Sequence, residues 1–138
     1  MVRLLNRLHA LAKFLEEDDG ASLLVAYRRA ANILHIEEKK DSTQYAGEPD
    51  KGLFDQAEEE NLYERVDAVN RRAVDALEQE EFGEAMKAMA TLRQPVDTFF
   101  DHVTVNCKDP ALRRNRLLML SQIRSTLDRV ADFSKIEG

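Results

Sequence analysis

A chain of 138 residues is long enough to bury a core without covalent staples, and its single cysteine, Cys107, excludes an intramolecular disulfide framework or a multi-cysteine zinc site. With 20 basic against 26 acidic residues, a net charge of -6, it is no general nucleic-acid binder. The charge is uneven: residues 1–40 hold 7 basic and 6 acidic, 41–92 hold 5 and 14, and 93–138 hold 8 and 6, so an RNA-facing surface has to come from the first and last thirds.

Leu4, Leu5, Leu8, Leu11, Ala12 and Leu15 recur at three-and-four spacing and predict an amphipathic helix over about 2–16. Asn6 and His9 interrupt its leucines, so it reads as a helix rather than a signal peptide. No apolar run approaches the roughly 20 residues that cross a bilayer. No membrane partner is expected, and cysteine usage suits a reducing compartment, so cytoplasmic residence is expected. The run Glu16-Glu17-Asp18-Asp19 is read as a solvated turn capping the next helix, because four adjacent acids on a turn do not converge on one ion.

A second helix over about 21–39 buries Leu23, Ala26, Tyr27, Ala30, Ile33 and Leu34. Arg28, Arg29 and Asn32 fall off that stripe, where they either touch phosphates and bases or pair with neighbouring helices. Residues 41–52 carry turn residues without periodicity and predict a surface loop. It is either a plain connector or a site where Gln44 and Tyr45 stack on an unpaired base. Leu53 and Phe54 then anchor the chain before a third helix with the stripe Leu62, Val66, Val69, Ala73 and Leu77. The acids Glu58 to Glu60 in its first turn suit the helix dipole.

A fourth helix over about 82–93 buries Phe82, Ala85, Met86, Met89 and Leu92, the methionines as gap-filling core. Pro95 turns the chain, and Val96, Phe99, Phe100 and Val103 make a short amphipathic segment with two rings inward. Val103 to Val105 read as an extended connector without a partner strand. Asp109 caps a last helix over about 110–133, with Pro110 at its first position. Leu117, Leu120, Ile123, Leu127, Val130 and Ala131 form its stripe, and Arg113, Arg114, Arg116, Arg124 and Arg129 decorate other faces. The fold class is all-α: one domain over 1–138, a bundle of about five to six helices.

A catalytic constellation is missing from the pattern. His9, His35 and His102 have no second ligand at metal spacing, and the 5 glycines form no phosphate-cradling cluster. Asp97 and Asp101 stand four apart beside His102, either as an acid/base or metal pair or as carboxylates serving Arg93 and Arg116. Cys107 reads as a small half-buried thiol.

The order "LRQPVDTFFDHVTV", a polar spacer, "LRRNRLLML" and the closing "VADFSKI" resembles the C-terminal anticodon-binding domain of the bacterial glycyl-tRNA synthetase beta subunit. "HALAKFL" and "SLLVAYRRAANIL" resemble its first two helices, with Phe14, Ala26, Arg29 and Asn32-Ile33-Leu34 in their family positions, so nearly the whole chain is covered. Related helical domains of arginyl-tRNA synthetases are named for an Asp-Ala-Leu-Arg signature; this chain has Ala111-Leu112-Arg113 preceded by Asp109 and an extra Pro110.

The resemblance implies a domain that grips the anticodon stem-loop of tRNA(Gly). It would do so beside an alpha subunit and the remainder of beta in a heterotetramer. ATP and Mg would serve the parent enzyme, while the domain itself would hold no cofactor, no metal and no active site. Arg28, Arg29, Asn32, Arg113, Arg114 and Arg116 are the expected RNA contacts, and Asn115 is a candidate helix-packing hydrogen bonder. Glycine anticodons share two cytosines, whose amino group a carboxylate can accept. Two other readings stay open: a protein-interaction module docking through the acidic third helix, and a small metal-dependent hydrolase using Asp97, Asp101 and His102.

Overall fold

Acids at the start and lysines at the end, matched to the helix dipole, set the first long helix, α1, Asp18–Asp41. It stops at Ser42, which takes a left-handed conformation with φ 54. The computed structural model describes residues 9, 12–105 and 107–131, with side chains as far as 129. Leu4, Leu5, Leu8 and Leu11 of the expected first stripe lie outside it, but residues 12–16 are helical. They meet α1 at Gly20, where a Cβ would sit 1.9 Å from the Phe14 carbonyl oxygen, so only glycine fits.

After a 3-10 turn at Lys51–Leu53 come α2 (Ala57–Glu78), α3 (Phe82–Ala90), α4 (Arg93–His102) and α5 (Pro110–Ala131). The all-α expectation holds, with no strand among the described residues. The break before Pro95 falls earlier than expected: α3 closes at Ala90 and α4 opens at Arg93. Proline is tolerated there because first-turn amides have no intrahelical partner. Thr91 completes the junction, its hydroxyl donating to the Ala88 carbonyl at 2.6 Å. At the other end of the chain Asp109 caps α5 as expected, its carboxylate accepting from Ala111 N at 2.9 Å.

Helix α2 packs against α3, α4 and α5, while α1 packs against α5 and α4. The buried residues form one cluster that includes Leu34, Leu62, Met89, Phe99, Leu120 and Leu127. Every residue from Asn115 to Ser121 is buried, so the middle of α5 is covered on all sides, beyond the single stripe expected.

That burial carries a charge inward. Arg116 is only 5% exposed at its side chain and meets Glu59, 0% exposed, at 3.0 Å. Its guanidinium also donates to the Thr104 carbonyl at 2.9 Å and to Gln56 Oε1 at 3.3 Å. Burial works against the charge of Arg116, yet the Glu59 carboxylate, with Cys107 and Asp55 adding to it, offsets this and the pKa is raised. Glu59 is therefore no mere dipole acid. It accepts from Arg116 and from the backbone amide of Gln56 at 3.1 Å, which fixes the start of α2.

Removing one partner of a buried pair strands the other charge, at a cost of about 3–5 kcal/mol. Glu59→Gln and Arg116→Met are each expected to lose stability on that scale in urea denaturation. The double variant Glu59→Leu/Arg116→Met should recover most of it. Single-variant losses below about 1 kcal/mol would show that the pair is not anchored in the core.

Candidate nucleic-acid interface

At about 100° per residue, Val25, Arg28, Arg29, Asn32, Ile36, Lys39 and Lys40 share the side of α1 opposite Leu23, Tyr27, Ala30 and Leu34. All of the first group are exposed, Val25 at 64% and Ile36 at 58%. The two acids in the same half of the helix point elsewhere. Glu37 is buried and accepts from Arg113; Glu38 accepts from the backbone amide of Tyr45 at 2.9 Å. A chain of net charge -6 thus presents a cationic helix face.

The Arg29 guanidinium carbon lies 4.3 Å from the centroid of the Phe100 ring. Phe100 meets the fully buried Phe99 edge-on, centroids 5.9 Å apart. A groove of about 420 Å³ runs beside this stack between α1 and residues 103–105, lined by Arg29, Ile33, Ile36, Phe100, Val103 and Val105. The sequence offered no sign of the stack, since its halves lie on different helices.

The six expected contacts divide. Arg28, Arg29 and Asn32 stand on the outer face of α1, and Arg114 is exposed near the start of α5. Arg113 and Arg116 instead turn inward. Arg113, 18% exposed at its side chain, bridges Glu37 and Asp41, the latter at 2.7 Å, and donates to the Tyr45 hydroxyl at 3.4 Å. Its pKa is raised, first by Glu37 and then by Asp41. Both arginines are held by carboxylates because α5 packs against α1 and α2, and their side chains lie on those contacts while Arg114 faces outward.

Tyr45 also turns inward. It is 7% exposed, its hydroxyl donating to Asp41 Oδ2 at 2.6 Å. Gln44 remains exposed. Asn115 does hydrogen-bond in the packing, but to the 41–52 loop: it accepts from Asp50 N at 2.6 Å and donates to Asp50 O at 3.1 Å.

A second groove, of about 920 Å³, lies between α2 and the α3–α4 junction, where Asn61, Glu64, Arg65, Gln94 and Thr98 face it. Arg93 sits at its edge, paired with Asp19 at 2.9 Å and 3.8 Å from Asp97. Asp97, Asp101 and His102 do not converge, and among the described residues no group of three His, Cys, Asp or Glu side chains could hold a metal ion. The hydrolase reading loses its constellation. No described helix is long and apolar enough to cross a membrane.

A family profile described as the DALR anticodon binding domain matches residues 23–137, which include α1 from Leu23 and all six expected contacts. The chain belongs to this family. This DALR domain is 55% identical over 139 residues to the glycine–tRNA ligase beta subunit of Rhodospirillum centenum, covering 100% of this chain and 20% of that protein. It is 48% identical to the beta subunit from Phenylobacterium zucineum, over 100% of this chain and 20% of the relative. With the beta subunit from a Ruegeria species the identity is 46%, over 98% of this chain and 20% of the relative. The chain spans about a fifth of the length of the curated relatives it matches.

Within the DALR domain, Asp41 titrates below the 3.8 of a free aspartate, first because the Tyr45 hydroxyl donates to it and next because Arg113 does. A depressed carboxylate pKa stabilises the fold above the unfolded value, and that contribution is lost as pH falls through the folded one. The melting-temperature gap between wild type and Asp41→Asn is therefore expected to shrink as pH is lowered from about 5 to about 2. A gap constant across that range would remove Asp41 from the attachment of the loop.

Proposed function

We propose that this DALR domain grips the anticodon stem-loop of tRNA(Gly) as the C-terminal, non-catalytic part of a glycine–tRNA ligase beta subunit. The observation that carries the proposal is the outer face of α1, where Arg28, Arg29, Asn32, Lys39 and Lys40 stand exposed while Glu37 and Glu38 are engaged elsewhere. The names of the relatives supply the amino acid. Arginine and lysine position the RNA backbone, and discrimination comes from bases unstacked in the loop. Arg28, Arg29, Asn32 and Arg114 form the contact set, with Arg113 and Arg116 holding the scaffold beneath it.

In this reading residues 1–138 act as one anticodon-binding unit in the cytoplasm. ATP- and Mg-dependent joining of glycine to tRNA belongs to the alpha subunit and the remainder of beta in a heterotetramer. The domain contributes selection and no chemistry. Docking through the acidic helix α2 has less support, because its exposed acids alternate with Arg65, Arg71 and Arg72, and Arg71 pairs with Asp67.

The test is a titration with an RNA hairpin carrying a glycine anticodon, alongside hairpins with either shared cytosine replaced, at two salt concentrations. The intact hairpin is expected to bind best. Arg28→Ala/Arg29→Ala should weaken binding to every hairpin and lower the salt slope by roughly 1 to 2, with helicity by circular dichroism unchanged. An unaltered affinity in that variant would take α1 out of the interface.

A further inference from the structure

Arginine planes and aromatic rings are the surfaces on which RNA-binding proteins lay unstacked bases. The Arg29–Phe100 stack is such a surface, held from beneath. Phe99 is fully buried and meets Phe100 edge-on, with an interplanar angle of 74°, so the half-buried Phe100 ring is braced from the core. One face of the Arg29 guanidinium covers Phe100 at 4.3 Å. A guanidinium has two faces, and because Arg29 is exposed the second can take another π system.

The groove beside the stack has the remaining properties of a base slot. Its volume, about 420 Å³, lies within the range of small-molecule sites and admits one base with its sugar, not a duplex. Ile33, Ile36, Val103 and Val105 give it apolar walls. The one carboxylate on its lining, Glu37, is bound by Arg113, so little negative charge opposes an incoming phosphate. On the same side of α1, Arg28, Lys39 and Lys40 are exposed.

We infer that the groove between α1 and residues 103–105 receives one unstacked nucleobase of the RNA, laid on the Arg29 guanidinium with Phe100 behind it. This rests on the anticodon-binding reading and goes beyond it by assigning a base, rather than phosphate, to Arg29. Cations flanking an apolar slot favour a nucleotide over an apolar side chain from another protein, which would have no use for the charge. Phe100 acts as a positioning residue, setting the plane of the arginine.

The experiment compares the 138-residue chain with Arg29→Lys, which keeps the charge and loses the plane, and with Phe100→Leu, which keeps apolar bulk and loses the ring. Each is titrated with the glycine-anticodon hairpin and with hairpins made abasic at each loop nucleotide in turn. One abasic position is expected to weaken wild-type binding roughly 5- to 150-fold. Arg29→Lys and Phe100→Leu should both abolish most of that difference. The salt slope of Arg29→Lys should stay unchanged, because the charge remains.

Equal binding of intact and abasic hairpins, or an Arg29→Lys variant that keeps the full difference, overturns the base slot and leaves the electrostatic grip standing. No binding of any hairpin by the wild-type chain overturns both. Loss of helicity in Phe100→Leu leaves Arg29→Lys to decide.

Discussion

The pairing of Arg116 with Glu59 is the constraint on which the rest of the structure depends. One guanidinium joins the middle of α5, the start of α2 and the extended segment 103–105, through Glu59, Gln56 and the Thr104 carbonyl. A buried ion pair is a poor source of net stability, because both groups must leave water. Glu59 Oε2 and Arg116 Nε even lack a partner among the described residues. Its value is positional: Thr104 lies in the segment that walls the groove beside Arg29, so the internal pair sets the shape of the outer surface.

Arg113 and Asn115 repeat the device within the same stretch of α5. Arg113 reaches the last turn of α1 and Tyr45, and Asn115 reaches the backbone of Asp50. Neighbouring positions of one helix therefore tie down α1, both halves of the 41–52 loop and α2. A helix covered on all sides can present polar groups in several directions, provided each one meets a partner.

The same arrangement lets an acidic chain offer a basic face. Glu37 is consumed by Arg113, and Glu38 by the Tyr45 amide. Arg28, Arg29, Lys39 and Lys40 stand exposed on the outside of α1. Net charge says little about such a surface, because binding responds to the field at the contact and distant charge is screened within about 10 Å at ordinary salt.

Hydrophobic period, turn chemistry and caps are local, and by themselves they determined the helices: the stripe of α1, the acidic start of α2 and the Asp109 cap of α5. Arg28, Arg29 and Asn32 were legible as off-stripe residues for the same reason. Tertiary structure alone decided which polar residues turn inward. Arg113, Arg116, Tyr45 and Glu59 carry nothing in their local pattern that separates them from solvent-facing neighbours, and the choice depends on partners distant in sequence. The Arg29–Phe100 stack is of that kind too, since it exists only once α1 and α4 are packed. Periodicity tells a helix which side is apolar; only its neighbours determine whether the other side meets water, a carboxylate or a ring.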